Sequence, residues 1–163
     1  MVAELFASLV MSLAPGVKEE PLAKGTAISF EAQTLRGAPI GTEDLKGKPT
    51  LIVLWGTSWM TGSLSALDEA ERLHKKYGDK LRVVALSNYD VKKDVLSFAE
   101  SNPGYKMEFW VDTSERKGHA VTIAAKVFKA KEFPSAYVLD KDCKVGGGIV
   151  GFKSGDNIEA FIR

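Results

Sequence analysis

The sequence has a single cysteine, Cys143, among its 163 residues. One cysteine cannot form a disulfide within the chain, which excludes both a disulfide-stabilised scaffold and an internal dithiol redox pair. A strong charge of either sign is also lacking, because 22 basic and 21 acidic side chains give a formal net charge of +1. We therefore expect no nucleic-acid partner, since such a partner requires a strongly basic face.

Long apolar runs are missing as well. No run approaches the ~20 consecutive apolar residues of a membrane-spanning helix, so we expect no membrane span.

The length of the chain, 163 residues, suits one well-buried domain rather than two. A secretory signal peptide is not indicated either, because Glu4 stands where basic residues belong and no Lys or Arg precedes Lys18.

We expect residues 1–23 to form an amphipathic helix followed by a linker. The apolar side chains of the first part share one helical stripe, made of Leu5, Phe6, Leu9, Val10 and Leu13. The sequence Ala14-Pro15-Gly16 ends that pattern. Residues 24–163 are then predicted to form the globular domain.

The stretch from Leu51 to Tyr77 predicts a strand, a tight turn and a helix. Leu51–Trp55 is continuously apolar and rich in branched side chains, which is typical of a buried strand. The helix is predicted by apolar residues at helical spacing before Gly78: Leu64, Leu67, Ala70, Leu73 and Tyr77. The turn between them lies at a helix N-terminus, where unpaired N–H groups carry a partial positive charge.

Strands and helices alternate along the rest of the chain, which predicts a mixed α/β sheet. The predicted strands are 27–35, 81–86, 107–111 and 145–152, the last with a bulge at Gly146–Gly148. The predicted helices are 91–101 and 120–130, with a short terminal helix that Ser154 or Asp156 opens.

Two residues are predicted to cap helical turns through their side chains. Thr42 precedes the single turn 43–46, and Asp90 precedes the helix 91–101. Cys143 belongs to a predicted hairpin turn that begins at Asp140, and we interpret it as an incidental turn residue.

The segment Trp55 to Ser63 resembles the active-site segment of the thioredoxin superfamily, specifically its TlpA/ResA-like thiol–disulfide oxidoreductases. The tryptophan that precedes the first cysteine in that family matches Trp59. The stretch Phe133-Pro134-Ser135-Ala136 matches the segment around the family's cis-proline. The resemblance implies a thioredoxin-like fold, in which a central mixed sheet is flanked by helices, with an N-terminal hairpin and an extra helix–strand insertion.

The residues that carry the family's chemistry are missing. Met60 and Ser63 occupy the two cysteine positions, and neither side chain can act as a thiolate nucleophile or form a disulfide. Two positions that manage protons in the family are also aliphatic here, namely Leu54 and Ala66. We interpret these four residues together as a native loss of redox activity.

What the resemblance leaves is a surface. In the family, the residue before the cis-proline pairs through its backbone with an extended peptide, as an added strand would. We name the corresponding residues the former active-site surface: Trp59, Met60, Thr61, Gly62, Ser63, Phe133 and Pro134. We predict a cis bond between Phe133 and Pro134 and partial exposure of Trp59, Met60 and Phe133. The alternative is that Met60 and Phe133 merely fill the vacated site.

Three functions stay open at this point. The first is a redox-inactive protein that binds a peptide, a protein partner or a neighbouring domain through the former active-site surface. The second is a thiol–disulfide oxidoreductase or antioxidant enzyme that uses Cys143 with an external thiol, and the third is a structural module of a larger protein. The resembling family is often exported to the bacterial cell envelope, but the sequence itself assigns no compartment.

No cofactor and no metal are expected. A single thioether such as that of Met60 is a poor metal ligand on its own. His74 and His119 form no short-spaced ligand pair, and we interpret both as surface residues.

Overall fold

The computed structural model describes residues 19–114 and 121–163, with Trp59 and Met60 described by their backbone alone. Within these residues the chain forms a mixed seven-stranded sheet flanked by helices, which confirms the predicted α/β fold. The strands are β1 Glu31–Thr34, β2 Pro39–Gly41, β3 Thr50–Trp55, β4 Arg82–Ser87, β5 Glu108–Val111, β6 Ser135–Leu139 and β7 Val145–Ile149. The helices are α1 Met60–Tyr77, α2 Lys92–Ser101 and α3 Ile123–Lys126. The predicted amphipathic helix at the start of the chain lies outside the described residues.

The strand order across the sheet is β2-β1-β5-β4-β3-β6-β7. β3 pairs in parallel with β4, which pairs in parallel with β5, so these three strands all end at one side, the carboxyl end of the sheet. β6 runs antiparallel to β3, with Ser135 opposite Leu54, so it begins at that same end. The topology therefore brings the residues after Trp55 and those before Ser135 together.

β3 lies at the centre of the hydrophobic core, and all six of its residues are buried. Its alternating side chains divide between two core clusters because successive strand residues point to opposite faces of the sheet. Leu51, Val53 and Trp55 pack with the apolar side of α1, whereas Ile52 and Leu54 pack on the other face. This double burial explains why β3 is a continuous apolar run rather than an alternating one.

Three predicted elements are shorter in the structure. α3 covers 123–126 instead of reaching residue 130, because Lys129 has a φ of 53° and the chain turns to bury Phe128 and Ala130 in the core. β1 begins at Glu31, although Ala27 still forms one bridge to Lys144. The last strand ends at Ile149, and Gly151 with a φ of 68° follows it.

Neither the turn at Thr42 nor the terminal element begins as the sequence predicts. Thr42 lies inside the 3-10 turn Thr42–Leu45, and its hydroxyl accepts a hydrogen bond from the Phe30 N–H at 3.4 Å. The terminal element is a 3-10 turn, Ile158–Phe161, and Asn157 caps it by accepting from the Ala160 N–H. Neither Ser154 nor Asp156 has that role, since the Asp156 carboxylate accepts from the Lys153 N–H instead.

The glycine-rich strand β7 contains the predicted bulge. Leu139 faces Val145 and Val138 faces Gly147, so Gly146 is the extra residue. Gly147 and Gly148 are required for packing, because a Cβ on either would overlap the aromatic ring of Phe161 or Tyr137 respectively.

Candidate functional site

The segment that resembles a redox active site folds as the sequence predicts. After β3 the chain makes a 3-10 turn, Thr57–Trp59, and α1 begins at Met60. Thr61 and Gly62 are exposed at the start of the helix, whereas Ser63 is fully buried. The Ser63 hydroxyl donates a hydrogen bond to the Gly56 carbonyl oxygen at 3.3 Å. The residue at the second cysteine position therefore faces inward and is bound to the backbone of the turn.

The proline loop packs directly against this helix start. The Phe133–Pro134 bond is cis, as predicted. A Cβ built on Gly62 would lie 3.2 Å from Pro134 Cδ, which shows how closely the two segments approach. Pro134 is buried, and its carbonyl oxygen accepts a hydrogen bond from the Phe152 N–H at 2.7 Å. The structure thus brings together Thr61, Gly62 and Pro134 from distant parts of the sequence.

Phe133 is half-buried, which agrees with the expected partial exposure of this residue. The side chains of Trp59 and Met60 lie outside the described part of the structure. The ring of Phe133 meets the ring of Tyr89 edge to face, with 6.0 Å between the ring centroids. The sequence does not indicate Tyr89, because nothing in the local pattern places the loop after β4 beside the proline loop.

Asp90 does not cap α2, contrary to the prediction. The residue before that helix is Val91, which makes no side-chain cap. Asp90 is buried, and its carboxylate accepts hydrogen bonds from the Thr57 N–H at 2.9 Å and from the Thr57 and Ser87 hydroxyls. Helix α2 therefore has no side-chain cap, and Asp90 instead holds the turn before α1 in place. The parallel pairing of β4 with β3 could have indicated this role, because it places the ends of the two strands next to each other.

Two further polar side chains fix the start of α3 to the carboxyl end of the sheet. The buried Asn88 accepts from the Ala124 N–H at 3.3 Å through its Oδ1. Asp112 accepts from the Ile123 N–H at 2.7 Å. The loop 88–90 consequently contacts α3, the turn at Thr57 and the proline loop, which makes it the common support of these three segments.

The positions that would manage protons in a redox site are apolar and buried. Leu54 lies in the sheet interior, and Ala66 lies on the buried face of α1. Within the described residues, no group of three or more His, Cys, Asp or Glu side chains could hold a metal ion. Nor does any helix among residues 19–114 and 121–163 combine the length and apolar character needed to cross a bilayer.

Cys143 lies in the turn between β6 and β7, at the other end of β6 from Pro134. Its side chain is buried in the core, and its Sγ donates to the Thr42 carbonyl oxygen at 3.3 Å. Burial raises the pKa of the Cys143 thiol above its usual value. It is therefore a core residue as well as a turn residue, and its surroundings disfavour the thiolate that redox chemistry needs.

His74 belongs to no candidate metal site among the described residues. His74 is half-buried on α1, with its Nδ1 shielded from solvent, so it is less exposed than the sequence analysis expects. His119 lies outside the described residues.

Comparison with protein families and individual proteins gives matches over most of the sequence. The model of the AhpC/TSA family matches residues 24–147. The thioredoxin-like protein YneN of Bacillus subtilis is 32% identical over 118 residues, which cover 71% of this chain and 64% of YneN. The thiol-disulfide oxidoreductase ResA of Bacillus cereus is 27% identical over 138 residues, or 84% of this chain and 75% of ResA.

Solved structures share the same architecture. A DsbF homologue from Corynebacterium diphtheriae superposes with a TM-score of 0.65 at 20% identity, covering 90% of this chain and 93% of the homologue. StoA from Bacillus subtilis gives a TM-score of 0.60 at 15% identity, over 84% of this chain and 98% of StoA. At these identities the similarity establishes a thioredoxin-like fold and nothing finer.

Proposed function

We propose a binding function for this chain, which belongs to the AhpC/TSA family and carries a TlpA/ResA-like domain of the thioredoxin superfamily. The domain is of the thiol–disulfide oxidoreductase type by descent. In our proposal it is redox-inactive and binds an extended peptide segment of a protein partner or neighbouring domain. The contact surface is the former active-site surface.

The observation that carries the proposal is the state of the two cysteine positions. Met60 has no ionisable group, and the hydroxyl of Ser63 is buried against the Gly56 carbonyl oxygen. Disulfide exchange needs an accessible thiolate and a second thiol that resolves the mixed disulfide. Neither group is available at the start of α1, so the fold is retained without the reaction.

Cys143 does not compensate for this loss. A thiol that exchanges with an external thiol must be reachable and readily deprotonated. Cys143 is 2% exposed, and burial raises its pKa. It also lies at the other end of β6 from the proline loop, and the five residues of that strand span roughly 17 Å at 3.4 Å per residue. These observations favour binding over an enzyme that uses Cys143.

The shape of the surface supports binding of an extended segment. Thr61 and Gly62 are exposed on one side, and the half-buried Phe133 lies on the other, with Pro134 between them. A peptide laid beside Phe133 would add backbone hydrogen bonds, as in other cases of strand addition. Tyr89 extends the apolar part of the surface, because its ring contacts that of Phe133.

The redox part of the proposal is tested by the reduction of insulin disulfides with dithiothreitol as the electron source. We expect the parent chain and its Cys143→Ser variant to match the rate without protein. Catalysis by the parent that disappears in Cys143→Ser would support the enzyme that uses Cys143 and reject our proposal.

The binding part is tested by affinity capture from the source organism, with the parent, a Trp59→Ala, Phe133→Ala double variant and a Leu96→Ala control. Leu96 is a matched apolar control, because it is 37% exposed on α2 and outside the former active-site surface. We expect specific partners to be retained by the parent and the control and lost by the double variant. Equal capture by all three proteins would contradict partner binding at the former active-site surface.

A further inference from the structure

A concave site lies at the end of the sheet opposite to the former active-site surface. Pro49, just before β3, borders it together with the end of β6 and the beginning of β7. Its volume is ≈ 350 Å³, which falls in the lower part of the range of about 300–1,000 Å³ that is usual for small-molecule sites. The length of β3, on the order of 20 Å for six residues, separates it from Thr57.

The interior of this cleft is apolar. Val138, Leu139 and Val145 are buried at its floor, and the partly exposed Pro49 and Phe161 line it as well. Backbone groups that border the cleft are already paired within the protein. The Gly25 N–H donates to the Val145 carbonyl oxygen at 2.7 Å, and the Gly47 N–H donates to the Lys141 carbonyl oxygen at 2.9 Å. Such a cleft offers an apolar ligand contact area with few competing hydrogen bonds.

The charged groups around the cleft are mostly positive. Lys24, Lys141 and Arg163 line it and are exposed, and none of them forms an ion pair with another described residue. The single acid is Asp140, whose Oδ1 accepts from the Asp142 and Lys144 N–H groups of its own turn. The side chains that line the cleft therefore carry three positive charges and one negative charge, although the whole chain is almost neutral.

We propose that this cleft binds a small amphipathic carboxylate, a molecule with an aliphatic or aromatic body and one anionic head. The body would contact the partly exposed apolar side chains of the cleft, Pro49 and Phe161. The carboxylate would remain at the rim, where Lys24 and Lys141 supply positive charge. The site is independent of the former active-site surface, so it does not depend on the proposed peptide binding.

The experiment is a titration of the 15N-labelled protein with octanoate, octanol and octylammonium, monitored through the backbone amide resonances. We expect octanoate to shift the amides of Val138, Val145 and Gly146. Octanol, which lacks the charge, should bind about 1.5-fold to fivefold more weakly, as expected for an exposed ion pair, and octylammonium should bind more weakly still. Decanoate should bind roughly tenfold more tightly than octanoate, because two further methylene groups are buried.

Variants test the charge contribution without disturbing the core. Lys24→Gln with Lys141→Gln should weaken octanoate binding to the level of octanol and leave octanol binding unchanged. Lys92→Gln with Lys93→Gln is the matched control, since both residues are exposed on α2 and outside the cleft. Equal affinities for the three probes, shifts centred elsewhere in the protein, or an unchanged octanoate affinity in the Lys24, Lys141 variant would each overturn the proposal.

Discussion

Asp90 is the residue that anchors the turn before α1 to the end of β4. Its buried carboxylate accepts from one backbone N–H and two hydroxyls, so it joins the ends of β3 and β4. A carboxylate suits this position because it offers acceptor sites only, and each of its three partners is a donor. The same loop holds Tyr89 against Phe133.

Asp90→Asn should therefore destabilise the protein, although the two side chains have almost the same shape. One of the two acceptor oxygens becomes an NH2 group that faces donors, which leaves buried donors unpaired at a cost of about 1–3 kcal/mol. Urea denaturation monitored by circular dichroism measures this change. Asp94→Asn is the control, since Asp94 is exposed in the first turn of α2. Equal unfolding midpoints for the two variants would contradict the anchoring role.

Cys143 should react slowly with a thiol reagent in the native protein. Its side chain is buried, and burial raises its pKa, so both access and the thiolate fraction are reduced. Labelling with 5,5′-dithiobis(2-nitrobenzoate) at pH 8 should be at least tenfold slower than in 6 M guanidinium chloride. Native labelling as fast as labelling of the unfolded chain would restore Cys143 as a candidate redox residue.

At the scale of elements, the strand–turn–helix unit around β3 and α1 follows from local pattern alone. β3 needs only a continuous apolar run, and α1 ends at Tyr77 because Gly78 adopts a φ of 53°. The Asp90 contact and the short α3 could not be predicted in the same way. Both depend on neighbours in the sheet order, and tertiary packing overrides local preference when it buries residues such as Phe128.

The preserved unit predicts the outcome of restoring the motif. Met60→Cys with Ser63→Cys places two thiols one helical turn apart at the start of α1, where the helix N-terminus lowers the pKa of the first thiol. The second thiol replaces a fully buried hydroxyl, and its apolar surroundings disfavour the thiolate. We expect a disulfide to form but insulin reduction to remain slow.

Adding a carboxyl group beside the restored pair should raise that rate. Leu54→Asp or Ala66→Glu would give the second thiol a proton acceptor, at a cost in stability because both positions are buried. The measurement compares the parent, the double-cysteine variant and the two triple variants in one insulin-reduction assay. The contrary result is a double-cysteine variant that reduces insulin rapidly, with no increase in rate from either carboxyl group. That result would show that the apolar side chains of Leu54 and Ala66 do not limit proton transfer to and from the second thiol.

At the scale of the whole molecule, the sequence predicts the class of fold and the place of the former active site better than it predicts the surroundings of that site. The segments Trp55–Ser63 and Phe133–Ala136 carry the resemblance, and each occupies the expected place. Tyr89 and the cleft at the other end of β3 arise from residues far apart in sequence. Such sites are defined by the strand order, which local periodicity does not specify.

The contact between α1 and the end of the chain also spans the molecule. Glu159, in the terminal 3-10 turn, accepts hydrogen bonds from Lys76, from Arg72 at 2.8 Å and from the Tyr77 hydroxyl at 2.9 Å. These hydrogen bonds, with Lys76 first, lower the pKa of Glu159 from 4.5 to about 2. A carboxyl group with a lowered native pKa stabilises the folded state above its unfolded pKa, and that contribution is lost as the pH falls through the native value.

Glu159→Gln should consequently destabilise the protein at pH 6 and at pH 5 by the same amount. The difference from the parent should shrink between about pH 4.5 and pH 2, as the parent's Glu159 takes up its proton in the native state. Because the Arg72 and Lys76 side chains are about half exposed, the difference should also decrease in 0.5 M NaCl. Urea midpoints of both proteins across this pH range provide the measurement, with Glu43→Gln as a control at the exposed ion pair between Glu43 and Lys46, which does not involve Glu159. A parent–variant difference that stays constant down to pH 2 would show that Glu159 acts through packing rather than through its charge.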